Sequence, residues 1–133
     1  MYAVEPTCHY RRHCFKLTLS RDISHEFVRH RSMSLMQESS RYCNYLKGKF
    51  NNECTFIIPV WLEYELKEGS YNDDSNKIAD VDNQTTRNFL FSLSDSEEYY
   101  FDLIRDGWQP QQARQVLPNA LKTELMMCGF ESD

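Results

Sequence analysis

Glycine and proline are scarce in this chain of 133 residues, with four of each. Disordered and low-complexity proteins are usually richer in both residues, and the sequence contains no internal repeat. No run approaches the roughly eighteen apolar residues of a membrane-spanning helix, and the N-terminus lacks the basic, then apolar pattern of a signal peptide. We therefore expect an ordered protein that binds no membrane, with the cytoplasm as its default location.

The five cysteines are an odd number and include no CxxC pair. This pattern favours reduced thiols in a reducing compartment. Cys8, His9, His13 and Cys14 bring four potential zinc ligands close together in the sequence. Neighbouring side chains of an extended segment point to opposite faces, so we expect no metal site here.

The residues that are present are typical of an ordered globular chain. Hydrophobic residues make up 41% of the sequence and aromatic residues 14%, which at this length is enough for a single core. We predict one domain over residues 1–133. The formal net charge is −5 and the aromatic residues are not interleaved with basic ones, so we expect no nucleic-acid partner.

The spacing of apolar residues predicts a small α+β fold, with a mixed or antiparallel sheet packed by helices. His13 to Leu19 alternates between apolar and polar residues and is predicted to be a half-buried strand. A helix that Ser20 or Asp22 can cap follows, and it is expected to carry Arg29 and His30 at its C-terminal end.

The sequence of the middle of the chain predicts a strand, a surface connection and a long helix. Cys54 to Val60 is a short apolar run and a second strand candidate, and residues 63–86 are polar enough to form a long surface connection. From Phe89 to Ile104 apolar residues recur at helical spacing and predict the longest helix, which Gly107 would end.

Two short elements are predicted near the end of the chain. Pro110 suits the first turn of a short helix, which Leu117-Pro118 would end. Leu121 to Met127 alternates and predicts a terminal strand. A small domain can leave such a strand with an unpaired edge, which favours self-association.

One local motif indicates which kind of ligand the chain binds. It consists of Arg29-His30-Arg31, seven further residues, and then Ser39-Ser40-Arg41-Tyr42. Guanidinium groups match the oxygens of phosphate and carboxylate groups. In a chain of net charge −5, these arginines indicate a local anion site. A small phosphorylated ligand fits this site better than a nucleic acid does.

A second segment reads Ala113-Arg114-Gln115-Val116-Leu117-Pro118, with Thr123 five residues further on. The two patterns, in this order, resemble the signature of the flavin-dependent thymidylate synthases. The resemblance covers roughly Tyr10 to Tyr45 and Ile104 to Met127, or about half of the chain.

This resemblance implies the reductive methylation of dUMP to dTMP, with FAD as the cofactor and with methylenetetrahydrofolate and NADPH as co-substrates. It also implies a homo-oligomer, a tetramer in the family, whose subunits share their sites. The cofactor supplies the redox chemistry. The protein positions the uracil ring, binds the nucleotide phosphate and stabilises the developing negative charge.

The resemblance also assigns roles to individual residues. The FAD contacts fall on Arg29, His30, Arg31 and Gln37. The dUMP contacts fall on Glu26, Arg29, Gln37, Ser39, Ser40, Arg41 and Arg114. The catalytic assignment falls on Arg29, Ser39 and Arg41, and Arg114 is expected to reach nucleotide across a subunit boundary. No His or carboxylate lies beside Ser39 in the sequence to activate it as a nucleophile, so we assign it as a hydrogen-bond donor to phosphate.

The chain also departs from the family pattern. Gln37 stands where many members have a glutamate, and Glu26 where many have a glutamine. Family members continue beyond the equivalent of Asp133 into a helical region with a flavin-binding histidine and an arginine that polarises the uracil, so we expect a shortened member or a fragment. The alternative function is a non-catalytic nucleotide-binding or assembly module.

Overall fold

The computed structural model describes residues 11–47, 50, 52–65 and 78–130, which group into two units. The sheet unit consists of residues 1–38 and 122–133, and the helical unit consists of residues 39–121. Strands and helices occur together, which confirms the predicted α+β class. No helix in the described ranges is long and apolar enough to cross a membrane. That both units belong to one domain stays a prediction.

The sheet unit contains an antiparallel sheet of three strands in the order β1-β3-β2. These are β1 (Arg12–Ser20), β2 (Ser34–Gln37) and β3 (Lys122–Phe130). The predicted first and last strands are confirmed, whereas β2 was missed because four residues are too few for alternation to be recognised. The prediction of an unpaired edge on the last strand is wrong, because β3 lies between β1 and β2.

In the described part of this unit, helix α1 (Arg21–Phe27) packs against β1 and β3. The buried residues of the unit are Leu19, Ser20, Ser24, Thr123 and Leu125. Ser20 occupies the predicted N-cap position but makes no cap hydrogen bond. A hydrogen bond from its side chain instead lowers the pKa of Asp22. The helix ends at Phe27, and Arg29 and His30 lie in the turn that follows it. The prediction that the helix carries these two residues is therefore wrong.

Cys14 and Cys128 are opposed in the register of β1 and β3 and form a disulfide, with their Cα atoms 4.1 Å apart. The expectation of reduced thiols is therefore wrong for this pair, whereas Cys43 and Cys54 are not disulfide-bonded. The pair is separated by 114 residues, and strand register alone brings it together. Burial raises the pKa of the Cys54 thiol. Cys8 and His9 lie outside the described residues.

The helical unit contains α2 (Gln84–Arg105) and α3 (Pro110–Ala113), followed by a 3₁₀ turn at Arg114–Val116. The prediction that the longest helix lies here is confirmed. Oδ1 of Asn83 caps α2 by accepting from the backbone N–H of Thr85 at 2.9 Å. Gly107, with φ of 93°, ends this helix as predicted, because a positive φ favours glycine.

The second predicted strand, Cys54 to Val60, is not a strand. Phe56 forms only an isolated bridge with Leu121, and a 3₁₀ helix at Val60–Glu65 follows. Pro59 supplies no backbone N–H and so weakens any ladder at this point. Of the predicted connection over 63–86, residues 66–77 lie outside the described residues, and α2 already begins within its last part.

The core of the helical unit is centred on Tyr100, which is fully buried in α2. Its ring packs edge-on against those of Tyr45 and Phe101, with both centroid distances at 5.5 Å. Its hydroxyl donates to the carbonyl oxygen of Cys43 at 3.4 Å. Burial raises the pKa of the Tyr100 phenol. This residue therefore connects α2 to the segment that follows Arg41.

Replacing Tyr100 with alanine should lower the free energy of unfolding by about 3–5 kcal/mol, because it leaves a cavity and removes two aromatic contacts. Tyr99→Ala is the matched control, since Tyr99 is 62% exposed and its loss should change stability by about 0.5 kcal/mol or less. Urea denaturation followed by circular dichroism measures both variants. Equal losses would contradict the central place of Tyr100 in this core.

Candidate functional site

In the helical unit, Ser40 and Arg41 of the first sequence motif lie beside the segment that contains Arg114. Nη1 of Arg114 donates to Oγ of Ser40 at 3.2 Å, and Nε of Arg41 donates to Oε1 of Gln111 at 3.3 Å. Gln111 and Arg114 are three residues apart, so they lie on one side of this helical turn. The two hydrogen bonds align the Ser40-Arg41 segment with α3 and with the 3₁₀ turn that follows it.

The local sequence explains why Arg114 has a fixed position. Pro110 opens α3, where its missing N–H is no loss. The N–H of Gln109 donates to Oε1 of Gln112 at 2.9 Å, which closes the first turn. Ala113 is fully buried in the core of the helical unit. The buried Ala113 therefore fixes the position of the backbone at the next residue, Arg114.

The neighbouring serines differ in their surroundings. Ser40 is 5% exposed, whereas Ser39 is exposed and its Oγ accepts from the backbone N–H of Arg41 at 3.3 Å. No histidine or carboxylate of the described chain forms a hydrogen bond with Ser39. Without such a base its hydroxyl is not an activated nucleophile, but it can donate to an anion.

The arrangement leaves most guanidinium donors available. Arg41 and Arg114 each use one N–H in the hydrogen bonds above, out of the five that an arginine carries. Within the described residues, neither forms an ion pair with a carboxylate. The Arg41 guanidinium also lies 5.8 Å from the ring centroid of Tyr42, which is exposed. Two unpaired cations in neighbouring positions can bind a phosphate or carboxylate group.

In the sheet unit, the other arginines lie in the exposed turn that follows α1. Nη1 of Arg29 is 3.6 Å from Oε2 of Glu26, and such an exposed ion pair contributes little to stability. The His30 ring lies 6.2 Å from that of Phe27. The side chains of His30 and Arg31 form no hydrogen bond or ion pair with any other described residue, so their donors are available to a ligand.

Gln37 is fixed by two buried hydroxyl groups. Its Nε2 donates to Oγ of Ser24 at 2.7 Å and to Oγ1 of Thr123 at 3.3 Å. Ser24 donates its own proton to the carbonyl of Arg21, and Thr123 donates to that of Glu38. Both hydroxyl oxygens therefore act as acceptors toward residue 37. An amide nitrogen satisfies them and a carboxylate does not, which accounts for glutamine at this position.

The structure thus separates the predicted site residues into two groups. Glu26, Arg29, His30, Arg31 and Gln37 belong to the sheet unit. Ser39, Ser40, Arg41 and Arg114 belong to the helical unit. The resemblance implies that Arg114 reaches across a subunit boundary, and here it contacts Ser40 of its own chain. Sequence reasoning missed Gln111, although its spacing of three residues from Arg114 is a usable signal.

Comparisons with a family model and with curated proteins point to the same family. The family model described as thymidylate synthase complementing protein, Thy1, matches residues 10–129. The flavin-dependent thymidylate synthase of Pyrobaculum aerophilum is 27% identical over 106 residues, which cover 80% of this chain and 31% of that protein. That of Pyrococcus furiosus is 28% identical over 108 residues, which cover 81% and 36%. The chain spans about a third of the length of these curated relatives.

Replacing Gln37 with glutamate should destabilise the sheet unit in a pH-dependent way. At about pH 7.5 the carboxylate faces two oxygens with no proton to offer, and the expected loss is about 1–3 kcal/mol. This environment raises the pKa of the introduced carboxyl. Its protonated form can donate, so the loss is smallest at about pH 4 and grows as the pH rises through that pKa.

Urea denaturation of the Gln37→Glu variant at several pH values measures this dependence. Gln115→Glu is the matched control, because Gln115 is exposed and donates to no buried hydroxyl group. The control should show no deficit that grows with pH. A deficit of the same size at every pH in the Gln37→Glu variant would be inconsistent with the donor assignment.

Proposed function

Because the chain belongs to the Thy1 family of thymidylate synthase complementing proteins, we propose that it acts in the reductive methylation of dUMP to dTMP, with FAD as cofactor. Methylenetetrahydrofolate and NADPH are the proposed co-substrates, and a homo-oligomer, a tetramer as in the family, is the proposed assembly. The proposal is supported above all by the hydrogen bonds of Ser40 and Arg41 with the segment that contains Arg114.

The proposed binding site for the dUMP phosphate consists of Ser39, Ser40, Arg41 and Arg114. Charge-assisted hydrogen bonds from guanidinium groups to phosphate are stronger than those between neutral groups. Arg114 is half-buried and bonded to the nearly buried Ser40, and Gln111 restrains Arg41. Side chains that are held before the ligand arrives lose less conformational entropy on binding.

For the flavin, the proposed contacts are Arg29, His30 and Arg31. The available donors of His30 and Arg31 suit an anionic pyrophosphate, and the exposed pair of Arg29 with Glu26 is weak enough for a ligand to displace. The amide nitrogen of Gln37 is occupied, so its carbonyl oxygen is the atom left to contact a ligand. When bound, a flavin would supply the redox chemistry.

The proposed catalytic roles of Arg29, Ser39 and Arg41 follow from their chemistry. A guanidinium group can stabilise negative charge that develops on the pyrimidine, and a hydroxyl donor can orient the nucleotide. No cysteine nucleophile is required. In keeping with this, the free Cys54 is buried and burial raises the pKa of its thiol, so it carries little thiolate.

A second candidate function is a non-catalytic nucleotide-binding or assembly module. The observation that favours it is that hydrogen bonds restrain the residues assigned to phosphate more than those assigned to flavin. Ser40, Arg41 and Arg114 are restrained by hydrogen bonds within the helical unit. His30 and Arg31, by contrast, are exposed and form no hydrogen bond or ion pair with any other described residue. Such a module would bind dUMP and carry no flavin.

Binding of dUMP should depend more on Arg41 and Arg114 than on Ser39. Loss of a charged hydrogen bond to phosphate costs about 1.5–3 kcal/mol, against about 1 kcal/mol for a neutral one. Isothermal titration calorimetry of Arg41→Ala, Arg114→Ala and Ser39→Ala measures this difference. Arg105→Ala is the control, because Arg105 is exposed and pairs with Asp102, and it should bind like the parent chain. Equal losses in the three site variants would refute the phosphate assignment.

The 133-residue chain should bind dUMP more tightly than FAD, because Arg41 and Arg114 are held in place by hydrogen bonds, whereas no described residue holds the side chains of His30 and Arg31. Calorimetry with dUMP and quenching of FAD fluorescence provide the two affinities. Incubation with all co-substrates, followed by chromatography of dTMP, tests for the reaction. Turnover supports the enzyme, and a colourless protein that binds dUMP without turnover supports the module. Failure to bind dUMP excludes both.

A further inference from the structure

The sheet unit carries a disulfide on its exposed face, outside the residues assigned to either ligand. Cys14 is exposed in β1, and Cys128, opposite it in β3, is half-buried. The described cysteines outside this bridge, Cys43 and Cys54, belong to the helical unit, and Cys54 is 7% exposed. Dissolved thiols can therefore reach the bridge at Cys14 and can hardly reach Cys54.

An arginine, Arg12, stands two residues before Cys14 on the same face of β1. Nη2 of Arg12 donates to Oγ of Ser34 at 3.2 Å. Arg12 is opposite Phe130 in the register, and Ser34 is opposite Cys128. The side chain of Arg12 therefore crosses β3 on the face that carries the disulfide, and its guanidinium carbon lies 5.9 Å from the centroid of the Phe130 ring. A neighbouring positive charge stabilises a thiolate, which is the form that exchanges with disulfides.

From this geometry, we propose that Cys14 and Cys128 form a reversible thiol–disulfide switch, whose co-reactant is a small thiol and its disulfide, such as glutathione. This inference does not depend on the proposed function. It assigns a redox role to residues that neither ligand site uses.

The exchange proceeds through Cys14, because it is the accessible sulfur. Its thiolate attacks the oxidised co-reactant, forms a mixed disulfide and releases one molecule of thiol. The thiolate of Cys128 then attacks the Cys14 sulfur, which forms the internal bridge and releases the second thiol. Two protein thiols thus lose two electrons and two protons, and one disulfide of the co-reactant is reduced to two thiols.

The reduced state keeps its strand pairing but loses a covalent restraint. The register of β1 with β3 remains, as does the ion pair between Lys16 and Glu124 at 2.9 Å. Reduction opens a link between positions separated by 114 residues, and a link over so long a loop strongly restricts the unfolded chain. Without the bridge, β1 opens locally more often while its average pairing is kept. Since α1 follows β1 directly, this opening extends to the turn with Arg29, His30 and Arg31.

Equilibration of the full chain in glutathione buffers of graded redox ratio tests the proposal. Alkylation and peptide mass spectrometry count the free thiols at each ratio. Cys14 and Cys128 should change together, while Cys43 and Cys54 stay reduced. The reduced protein should remain folded, with a Tm lower on the order of 10 °C and faster hydrogen exchange in β1 and in the Arg29 turn.

Single variants test the order of the steps. Cys128→Ser should trap a mixed disulfide of glutathione on Cys14, and Cys14→Ser should form such an adduct more slowly. Both should lose the redox dependence of the Tm, and Cys43→Ser should keep it. The reduced parent chain serves as the reference for folding of each variant.

Three results would overturn the switch. The first is a chain that stays fully reduced in oxidised glutathione. The second is a bridge that reducing agents open only in denaturant. The third is an oxidised and a reduced form with the same Tm and the same exchange rates.

Discussion

The pairing of β3 with strands from the other end of the chain is the constraint on which the sheet unit depends. This one strand brings residues 122–130 against 12–20 on one side and against 34–37 on the other. Three contacts follow from its register. These are the disulfide of Cys14, the ion pair of Lys16 with Glu124, and the hydrogen bond of Gln37 with Thr123. Each is long-range and none forms before the strands align.

The charged pair in this register also makes the sheet sensitive to acid. The ammonium group of Lys16, and then that of Lys122, hold the pKa of Glu124 below its ordinary value. A carboxyl group of this kind contributes stability above its unfolded pKa and loses that contribution as the pH falls through its folded pKa. Glu124 is solvent-accessible and its ion pairs are screened by salt, so the effect is small.

The sequence predicts those features whose signals are local. Alternation in β1 and β3, helical spacing in α2, Pro110 and Gly107 each act within a few residues, and each is found where it is predicted. The failures have a different origin. A strand exists only with a partner, so the four residues of β2 were missed and Cys54 to Val60 was predicted wrongly. The disulfide depends on register alone, which single-chain periodicity does not contain.

In the candidate site too, local motifs could be predicted from the sequence and long-range contacts could not. The two arginine motifs are visible in the sequence, and the structure adds the hydrogen bonds that hold Ser40 to Arg114 and Arg41 to Gln111. The surroundings of Gln37 could not be foreseen, because they depend on where the hydroxyl protons of Ser24 and Thr123 go.

The end of α1 at Phe27 determines how the two proposed groups of ligand-binding arginines differ. Residues 29–31 lie in an exposed turn, so a ligand must order these side chains and lose part of its binding energy in doing so. Arg41 and Arg114 are already held by neutral hydrogen-bond partners, which fix their direction without neutralising their charge. Restraint without a counter-ion favours the binding of an anion, and of the arginines in the two sequence motifs it is Arg41 and Arg114 that have it among the described residues.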